Sequence, residues 1–302
     1  MKILVTGVGG FVGGHLVREL VSAGHEVVGA GLARNPGPVE ELLVDYLWGD
    51  LTCAWPTVNV DAVVHLAALS AVGPSFADPQ RYIEANSAPV THLGEHLLTM
   101  ARPVRTVVVS TGAVYGGGDA APLTEQSPLV PTSPYAISKM LTEIQCAYYR
   151  QRGLDVVVMR PFNHIGPGQG SGFILPDLAE EARTSVRTGH AMTVGNLKTR
   201  RDYTDVRDVV RAYRLAVEAP EILAPVLNVC SGASVSGCEI LELTTSALGV
   251  SGVEVRVDES RLRPQDPPDI RGDNALIRSV LGWAPTIAVE TSVRDFVAEL
   301  DA

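Results

Sequence analysis

The chain has 302 residues and a formal net charge of −10, and 46% of its residues are hydrophobic and 19% charged. This composition argues against an intrinsically disordered protein, and the negative charge argues against a protein whose main task is binding nucleic acid. Its apolar stretches are too short for a signal peptide or a membrane span, so we expect a cytoplasmic protein that binds no membrane. Four scattered cysteines without a Cys-x-x-Cys pair predict reduced thiols and no metal site.

Short apolar runs alternate with helical patterns through the first half of the chain. Continuous rather than alternating apolar strands are typical of a parallel sheet that is covered on both faces. The predicted fold class is therefore α/β, with a doubly wound parallel (Rossmann) sheet that binds its ligands at the carboxyl ends of the strands. The predicted strands are Ile3–Val5, Glu26–Ala30, Asp45–Trp48, Ala62–Leu66, Arg105–Ser110 and Asp155–Arg160, and the predicted helices are Phe11–Ala23, Arg81–Met100 and Tyr135–Gln151.

The pattern loosens after Asn163, where glycines and prolines cluster. We divide the chain into a dinucleotide-binding domain at 1–163 and a smaller α/β substrate lobe at 164–302, which is interleaved with the sheet and completes it. The helices predicted in this lobe are Leu175–Arg187, Val206–Glu218, Ser236–Leu248 and Val289–Leu300.

A glycine-rich turn follows the first predicted strand and opens the first helix. Gly7, Gly10 and Gly13 are spaced three residues apart. Such a turn lets backbone N–H groups touch a pyrophosphate because glycine places no side chain in the way, and the third glycine lets the helix pack close to the sheet. This context favours a dinucleotide site over an ordinary tight turn.

The end of the second strand indicates which dinucleotide binds. An NAD site usually has an acidic residue there to hold the ribose 2′-hydroxyl, whereas this strand ends in Gly29-Ala30-Gly31. Arg34 follows shortly after and suits a 2′-phosphate, so NADP(H) is favoured and NAD(H) remains possible. The alternative interpretation is that Arg34 is a solvated loop residue.

Tyr135 and Lys139 stand four residues apart and share one face of a predicted helix. A nearby ammonium group stabilises a phenolate, so we expect Lys139 to move the pKa of Tyr135 down towards neutrality. The preceding strand ends in Ser110-Thr111, and a hydroxyl there can hydrogen-bond the reacting oxygen. Tyr135, Lys139 and a hydroxyl from this strand end therefore form the predicted catalytic group.

With these motifs in this order, the chain resembles the extended short-chain dehydrogenases/reductases over nearly its whole length. Further matching pieces are Asp50-Leu51, His65-Leu66-Ala67-Ala68, Ser110-Thr111-x-x-Val114-Tyr115-Gly116 and Arg160-Pro161-Phe162-Asn163. The resemblance implies that Thr111, Tyr135 and Lys139 are the catalytic residues and that Lys139 also holds the nicotinamide ribose. It also implies that the molecule is a homodimer. It implies cofactor contacts from Gly7, Gly10, Phe11, Val12, Asp50, Leu51, Leu66, Ala67, Ala68, Asn86, Tyr135, Lys139 and Phe162.

Later segments resemble the branch of the family that acts on GDP-mannose and GDP-4-keto-6-deoxymannose. These segments are 160–169, Val194-Gly195-Asn196-Leu197, 201–208 and Arg261-Leu262-Arg263-Pro264. The resemblance implies a nucleotide-sugar substrate that contacts Ser70, Thr111, Asn163, Arg201, Arg263 and Asp266. The structural alternatives are an ion pair between Arg201 and Asp202 and a helix N-terminus at 205–208.

Several reactions compete. Related dehydratases carry a glutamate directly after the catalytic threonine, whereas Gly112 and Ala113 stand here, so dehydration is disfavoured. A combined epimerase/reductase is disfavoured because no cysteine lies near Thr111 in sequence to pair with His164. The leading interpretation is NADPH-dependent reduction of a GDP- or TDP-linked 4-keto-6-deoxyhexose. A C4 epimerase with bound NAD and a non-catalytic dinucleotide sensor are the alternatives.

Overall fold

The computed structural model describes residues 1–116, 122–261 and 266–300. Its central feature is a seven-stranded parallel sheet in the order β10-β6-β5-β4-β1-β2-β3. The strands are β1 (Lys2–Thr6), β2 (Glu26–Gly31), β3 (Asp45–Trp48), β4 (Ala62–His65), β5 (Arg105–Val109), β6 (Val156–Pro161), β7 (Asn163–Ile165), β8 (Met192–Val194), β9 (Arg200–Asp205), β10 (Val226–Val229), β11 (Ser234–Ser236), β12 (Val255–Val257) and β13 (Asp269–Ile270).

Helices cover both faces of the sheet, which explains why its strands are apolar on both sides. The helices are α1 (Phe11–Ser22), α2 (Val72–Ser75), α3 (Pro79–Leu98), α4 (Pro134–Gln151), α5 (Ile174–Thr188), α6 (Val206–Glu218), α7 (Gly237–Ala247), α8 (Ala275–Leu281) and α9 (Val289–Leu300). Ile3 and Val5 pack with α1 and α6 in one core, whereas Leu4 packs with α3 and α4 in the other. The predicted α/β class and doubly wound sheet are confirmed.

Helices α3 and α4 pack closely on one face of the sheet. A Cβ at Gly94 of α3 would overlap the ring of Tyr149 of α4, so glycine is what allows the two helices to approach at this point. Each helix begins at a residue whose side chain caps its N-terminus. Asp78 accepts the backbone N–H of Arg81 in α3, and Ser133 accepts that of Ala136 in α4. This packing fixes α4, which carries the predicted catalytic side chains, against the sheet.

A third core lies among α5, α7, α9 and the short strands after Asn163. β7 and β11 pair with β9, and so does β13. β10, which follows this region in sequence, returns to the edge of the main sheet beside β6. Because β7 follows β6 directly and pairs with the second half of β9, the end of β6 lies close to β9.

The predicted elements agree with the observed ones to within about two residues at their ends, the usual uncertainty of a helix or strand boundary. The structural interpretation of 205–208 is correct, because Asp205 caps the N-terminus of α6. Among the described residues, no helix is both long and apolar enough to cross a bilayer.

Candidate active site

The glycine turn between β1 and α1 leaves a backbone cradle open. Gly7 has a φ of +74°, a left-handed conformation that favours glycine, and a Cβ at Gly13 would overlap the carbonyl oxygen of Gly7. Gly10 is the N-cap of α1 and provides no side-chain hydrogen bond to the first helical N–H groups. These donors and the helix dipole suit an anion, so the turn fits the pyrophosphate of a dinucleotide.

The loop after β4 is attached to this turn through Thr6. The Thr6 hydroxyl accepts the N–H groups of Leu66 and Ala67 at 3.1 and 3.0 Å and therefore gives its own proton to His65 Nδ1, at 2.9 Å. Burial lowers the pKa of His65 to about 3, so the ring is neutral and can accept. The predicted cofactor residues Leu66, Ala67 and Ala68 are thereby held beside Gly7.

Asn86, another predicted cofactor residue, is buried and bonded to protein groups. Its Oδ1 accepts the N–H of Leu69 at 2.8 Å, and its Nδ2 donates to the Leu69 carbonyl and to the Ser138 hydroxyl. The side chain thus joins the loop after β4 to α4. The next loop residue, the predicted substrate residue Ser70, is exposed.

At the far end of the sheet, the predicted adenine-side residues follow β2 and β3. Arg34 and Asp50 are exposed, and Leu51 is buried with its carbonyl oxygen 3.0 Å from His92 Nδ1. Hydrogen bonds from the hydroxyl and N–H of Thr52 lower the pKa of Asp50. Arg34 therefore lies beyond the strand end that lacks an acidic residue, as the sequence predicts.

Three consecutive residues at the end of β5 form hydrogen bonds with side chains of α4. The ammonium group of Lys139 donates to the Val109 carbonyl at 2.8 Å, the Ser110 hydroxyl donates to Glu143 at 2.5 Å, and Thr111 is hydrogen-bonded to Tyr135. Tyr135, Lys139 and Glu143 are spaced by four residues, so they follow one face of the helix. The three predicted catalytic residues are brought together.

One expectation about this group is wrong in the structure. Burial raises the pKa of Tyr135 to about 12, and the hydrogen bond with Thr111 offsets this only in part. Burial also lowers the pKa of Lys139 to about 8, and its ammonium is directed to the Val109 carbonyl. Desolvation therefore outweighs the expected stabilisation of the phenolate, and Tyr135 holds its proton at neutral pH.

Sequence reasoning missed Glu143, which lies behind the catalytic residues. Its carboxylate forms a two-point ion pair with Arg160, at 2.9 and 2.6 Å, and both side chains are buried. Arg160 continues to the hydroxyl of Tyr115, which donates to Asn228. The same four-residue spacing that identifies Tyr135 and Lys139 would have pointed to Glu143.

Two predicted substrate residues contact each other at the start of β9. Arg201 pairs with Asp266 and also donates to the carbonyl oxygens of Arg200 and Pro267. The alternative ion pair with Asp202 is wrong, because the Asp202 carboxylate instead accepts the N–H groups of Ser231, Gly232 and Gly272. The predicted substrate residue Arg263 lies outside the described residues.

The remaining predicted residues connect the glycine turn to β7. The ring of Phe11 stacks on His164 with centroids 6.1 Å apart, and Val12 next to it is half-buried. Asn163 is exposed at the start of β7. Phe162 is buried, and a Cβ at Gly112 would lie 3.0 Å from its ring, so a larger side chain at Gly112 would require Phe162 to move.

Residues 3–230 match the model of the NAD dependent epimerase/dehydratase family. The chain is 33% identical to a GDP-6-deoxy-D-mannose reductase from Pseudomonas aeruginosa, over 100% of this chain and 97% of that protein. It is also 32% identical to a UDP-glucose 4-epimerase from Mycolicibacterium smegmatis, over 97% of this chain and 96% of that protein. Among solved structures, RMD from Pseudomonas aeruginosa complexed with NADPH superposes with a TM-score of 0.84 at 31% identity, covering 100% of this chain and 99% of that one.

These matches extend over the Rossmann sheet, the glycine turn and the Thr-Tyr-Lys group together, and the expected resemblance is confirmed. The chain belongs to the NAD dependent epimerase/dehydratase family of extended short-chain dehydrogenases/reductases.

Proposed function

We propose that this protein is an NADPH-dependent reductase of a nucleotide-linked 4-keto-6-deoxyhexose, with GDP-4-keto-6-deoxymannose as its preferred substrate. The observation that carries the proposal is the buried Tyr135, hydrogen-bonded to Thr111, with no carboxyl group at the two positions after Thr111, Gly112 and Ala113. The identity to a GDP-6-deoxy-D-mannose reductase supports the choice of substrate.

A bound nicotinamide cofactor would supply the hydride for C4 of the sugar, and the glycine turn fits its pyrophosphate. Tyr135 gives its phenolic proton to the ketone oxygen, so that the carbonyl becomes a hydroxyl group. The hydroxyl of Thr111 holds the same oxygen. Lys139, one helical turn from Tyr135, keeps a positive charge close to the phenolate that remains.

The residues beside Thr111 favour reduction over dehydration. Reduction of a ketone needs a proton donor at the carbonyl oxygen, a role that the Tyr135 phenol fills. Dehydration also needs an acid–base group beside Thr111, and Gly112 lies against Phe162.

The substrate is expected to lie between the catalytic group and β9. Arg201 is the predicted diphosphate ligand, because a guanidinium group can donate to two oxygens at once. In the structure its partner is the Asp266 carboxylate, an anion that pairs with the guanidinium as a phosphate would. The substrate diphosphate would then replace Asp266, which the family resemblance places at the nucleotide ribose.

The proposal is tested by giving the purified protein GDP-mannose with a catalytic amount of NADP⁺ or NAD⁺, and GDP- and TDP-4-keto-6-deoxyhexoses with NADPH or NADH. We expect NADPH to be consumed with a 4-keto sugar, and NMR of the product would give the configuration at C4. Formation of a keto sugar from GDP-mannose, without NADPH consumption in the other reactions, would identify a dehydratase and overturn the proposal.

A C4 epimerase is the second candidate, favoured by the 32% identity to a UDP-glucose 4-epimerase. Such an enzyme would interconvert UDP-glucose and UDP-galactose without net consumption of cofactor. Incubation with UDP-glucose and a catalytic amount of NAD⁺, followed by NMR of the sugar, separates this activity from a reductase.

A further inference from the structure

Two aromatic residues of β3 hold the loop that carries Arg34. The guanidinium carbon of Arg34 lies 4.7 Å from the centre of the Trp48 ring, in a cation–π contact. The indole N–H of Trp48 donates to the Leu32 carbonyl at 2.9 Å. Both side chains are exposed, so the stacked pair is open to a ligand.

The stacking leaves the donor edges of Arg34 available. Within the described part of the chain, its guanidinium has neither a hydrogen-bond acceptor nor an ion-pair partner. Contact through the flat face keeps the N–H groups at the rim free for phosphate oxygens. Trp48 therefore restricts the movement of the flexible Arg34 side chain and leaves the hydrogen-bond donors of the guanidinium free.

Tyr46, two positions before Trp48 in β3, contacts the same loop. Its hydroxyl donates to the Ala33 carbonyl at 2.6 Å, immediately before Arg34. A Cβ at Gly31 would lie 2.9 Å from this hydroxyl. Gly31 ends β2, where an acidic residue would hold the 2′-hydroxyl in an NAD site, so any side chain there requires Tyr46 to move.

We propose that Trp48 and Tyr46 are specificity-determining positioning residues, which fix Arg34 as the ligand of an adenosine 2′-phosphate. Trp48 orients the guanidinium and Tyr46 fixes its loop. Tyr46 also occupies the space of the acidic side chain that would favour NAD. This inference deepens the proposed use of NADPH and rests on that part of the proposed function.

The test measures binding without any sugar nucleotide, so its result does not depend on which sugar reaction the enzyme catalyses. Isothermal titration calorimetry compares 2′,5′-ADP, which carries the 2′-phosphate, with 5′-AMP, which lacks it. The measured quantity is the ratio of the two dissociation constants. We expect the wild type to bind 2′,5′-ADP about 10- to 100-fold more tightly, as is typical of a charge-assisted contact.

The variants separate a role in specificity from a structural role. Arg34→Ala should bring the ratio close to one. Trp48→Leu should lower it by about 2- to 5-fold, the strength of an exposed cation–π contact, and Trp48→Phe should recover part of it. Tyr46→Phe should lower it by a similar factor. The control Arg294→Ala removes an arginine with a 71% exposed side chain from α9 and should leave the ratio unchanged.

Equal binding of both ligands by the wild type would overturn the inference. An unchanged ratio in Trp48→Leu would also overturn it, as would equal weakening of both ligands, which indicates a structural role. If these ratios behave as expected but no sugar reaction consumes NADPH, the cofactor inference stands and the proposed reductase activity fails.

Discussion

The ammonium group of Lys139 donates a hydrogen bond of 2.8 Å to the carbonyl oxygen of Val109, two residues before Thr111. The contact ties the catalytic face of α4 to the strand end that carries the third catalytic residue. It also gives a buried cation an acceptor, which reduces the cost of its desolvation. Burial still lowers the pKa of Lys139 to about 8, so the group is mostly charged at neutral pH.

Tyr135→Phe should abolish proton donation while leaving the cofactor site intact. We expect turnover of the 4-keto sugar to fall by about 10²- to 10⁴-fold, the usual contribution of a general acid. Cofactor affinity should change little, which fluorescence titration with NADPH can measure. Tyr148→Phe is a matched control on the same helix because its side chain is half-exposed, and it should retain activity. Wild-type turnover in Tyr135→Phe would contradict the assigned role.

Lys139 should make the stability of the ligand-free protein depend on pH. Between about pH 8 and 10.5, the unfolded chain keeps the lysine proton that the folded protein has released. Unfolding therefore takes up a proton, and the contribution of this residue to the free energy of unfolding rises with pH in this window. The difference between wild type and Lys139→Met in urea titrations should grow in favour of the wild type from pH 8 upwards. A constant difference would contradict the prediction.

Arg201→Ala should weaken nucleotide-sugar binding much more than cofactor binding. Loss of a charge-assisted contact typically costs about 1.5–3 kcal/mol, or about 10- to 150-fold in affinity. Calorimetry with GDP and with NADPH measures the two sites separately. Arg200→Ala is the control, because that neighbouring arginine pairs with Glu239. Unchanged GDP affinity in Arg201→Ala would show that the diphosphate binds elsewhere.

Glu143→Gln should destabilise the fold, because it leaves the buried guanidinium of Arg160 without its counter-charge. Breaking one side of a buried ion pair typically costs about 3–5 kcal/mol. The double variant Glu143→Leu/Arg160→Met removes both charges and should recover much of this loss. Urea titrations of the three proteins test the prediction. A single variant as stable as the wild type would show that the pair contributes little.

The sequence alone identified the elements whose geometry is local. The glycine turn needs only Gly7, Gly10 and Gly13 at fixed spacing between a strand and a helix, and Tyr135 and Lys139 share a face because a helix turns every 3.6 residues. The absence of an acidic residue at the end of β2 is also visible in the sequence itself. These features led to the fold class, the family and the three catalytic residues.

Other features depend on contacts between distant parts of the chain, which spacing cannot predict. Arg201 pairs with Asp266 rather than with its neighbour Asp202, because the chain brings the segment around Pro267 against β9. The pKa of Tyr135 rises rather than falls because the packing of α4 on the sheet buries the phenol. The sequence determined which groups are present and their local order, whereas the tertiary structure decided their partners and solvation, and hence their charge.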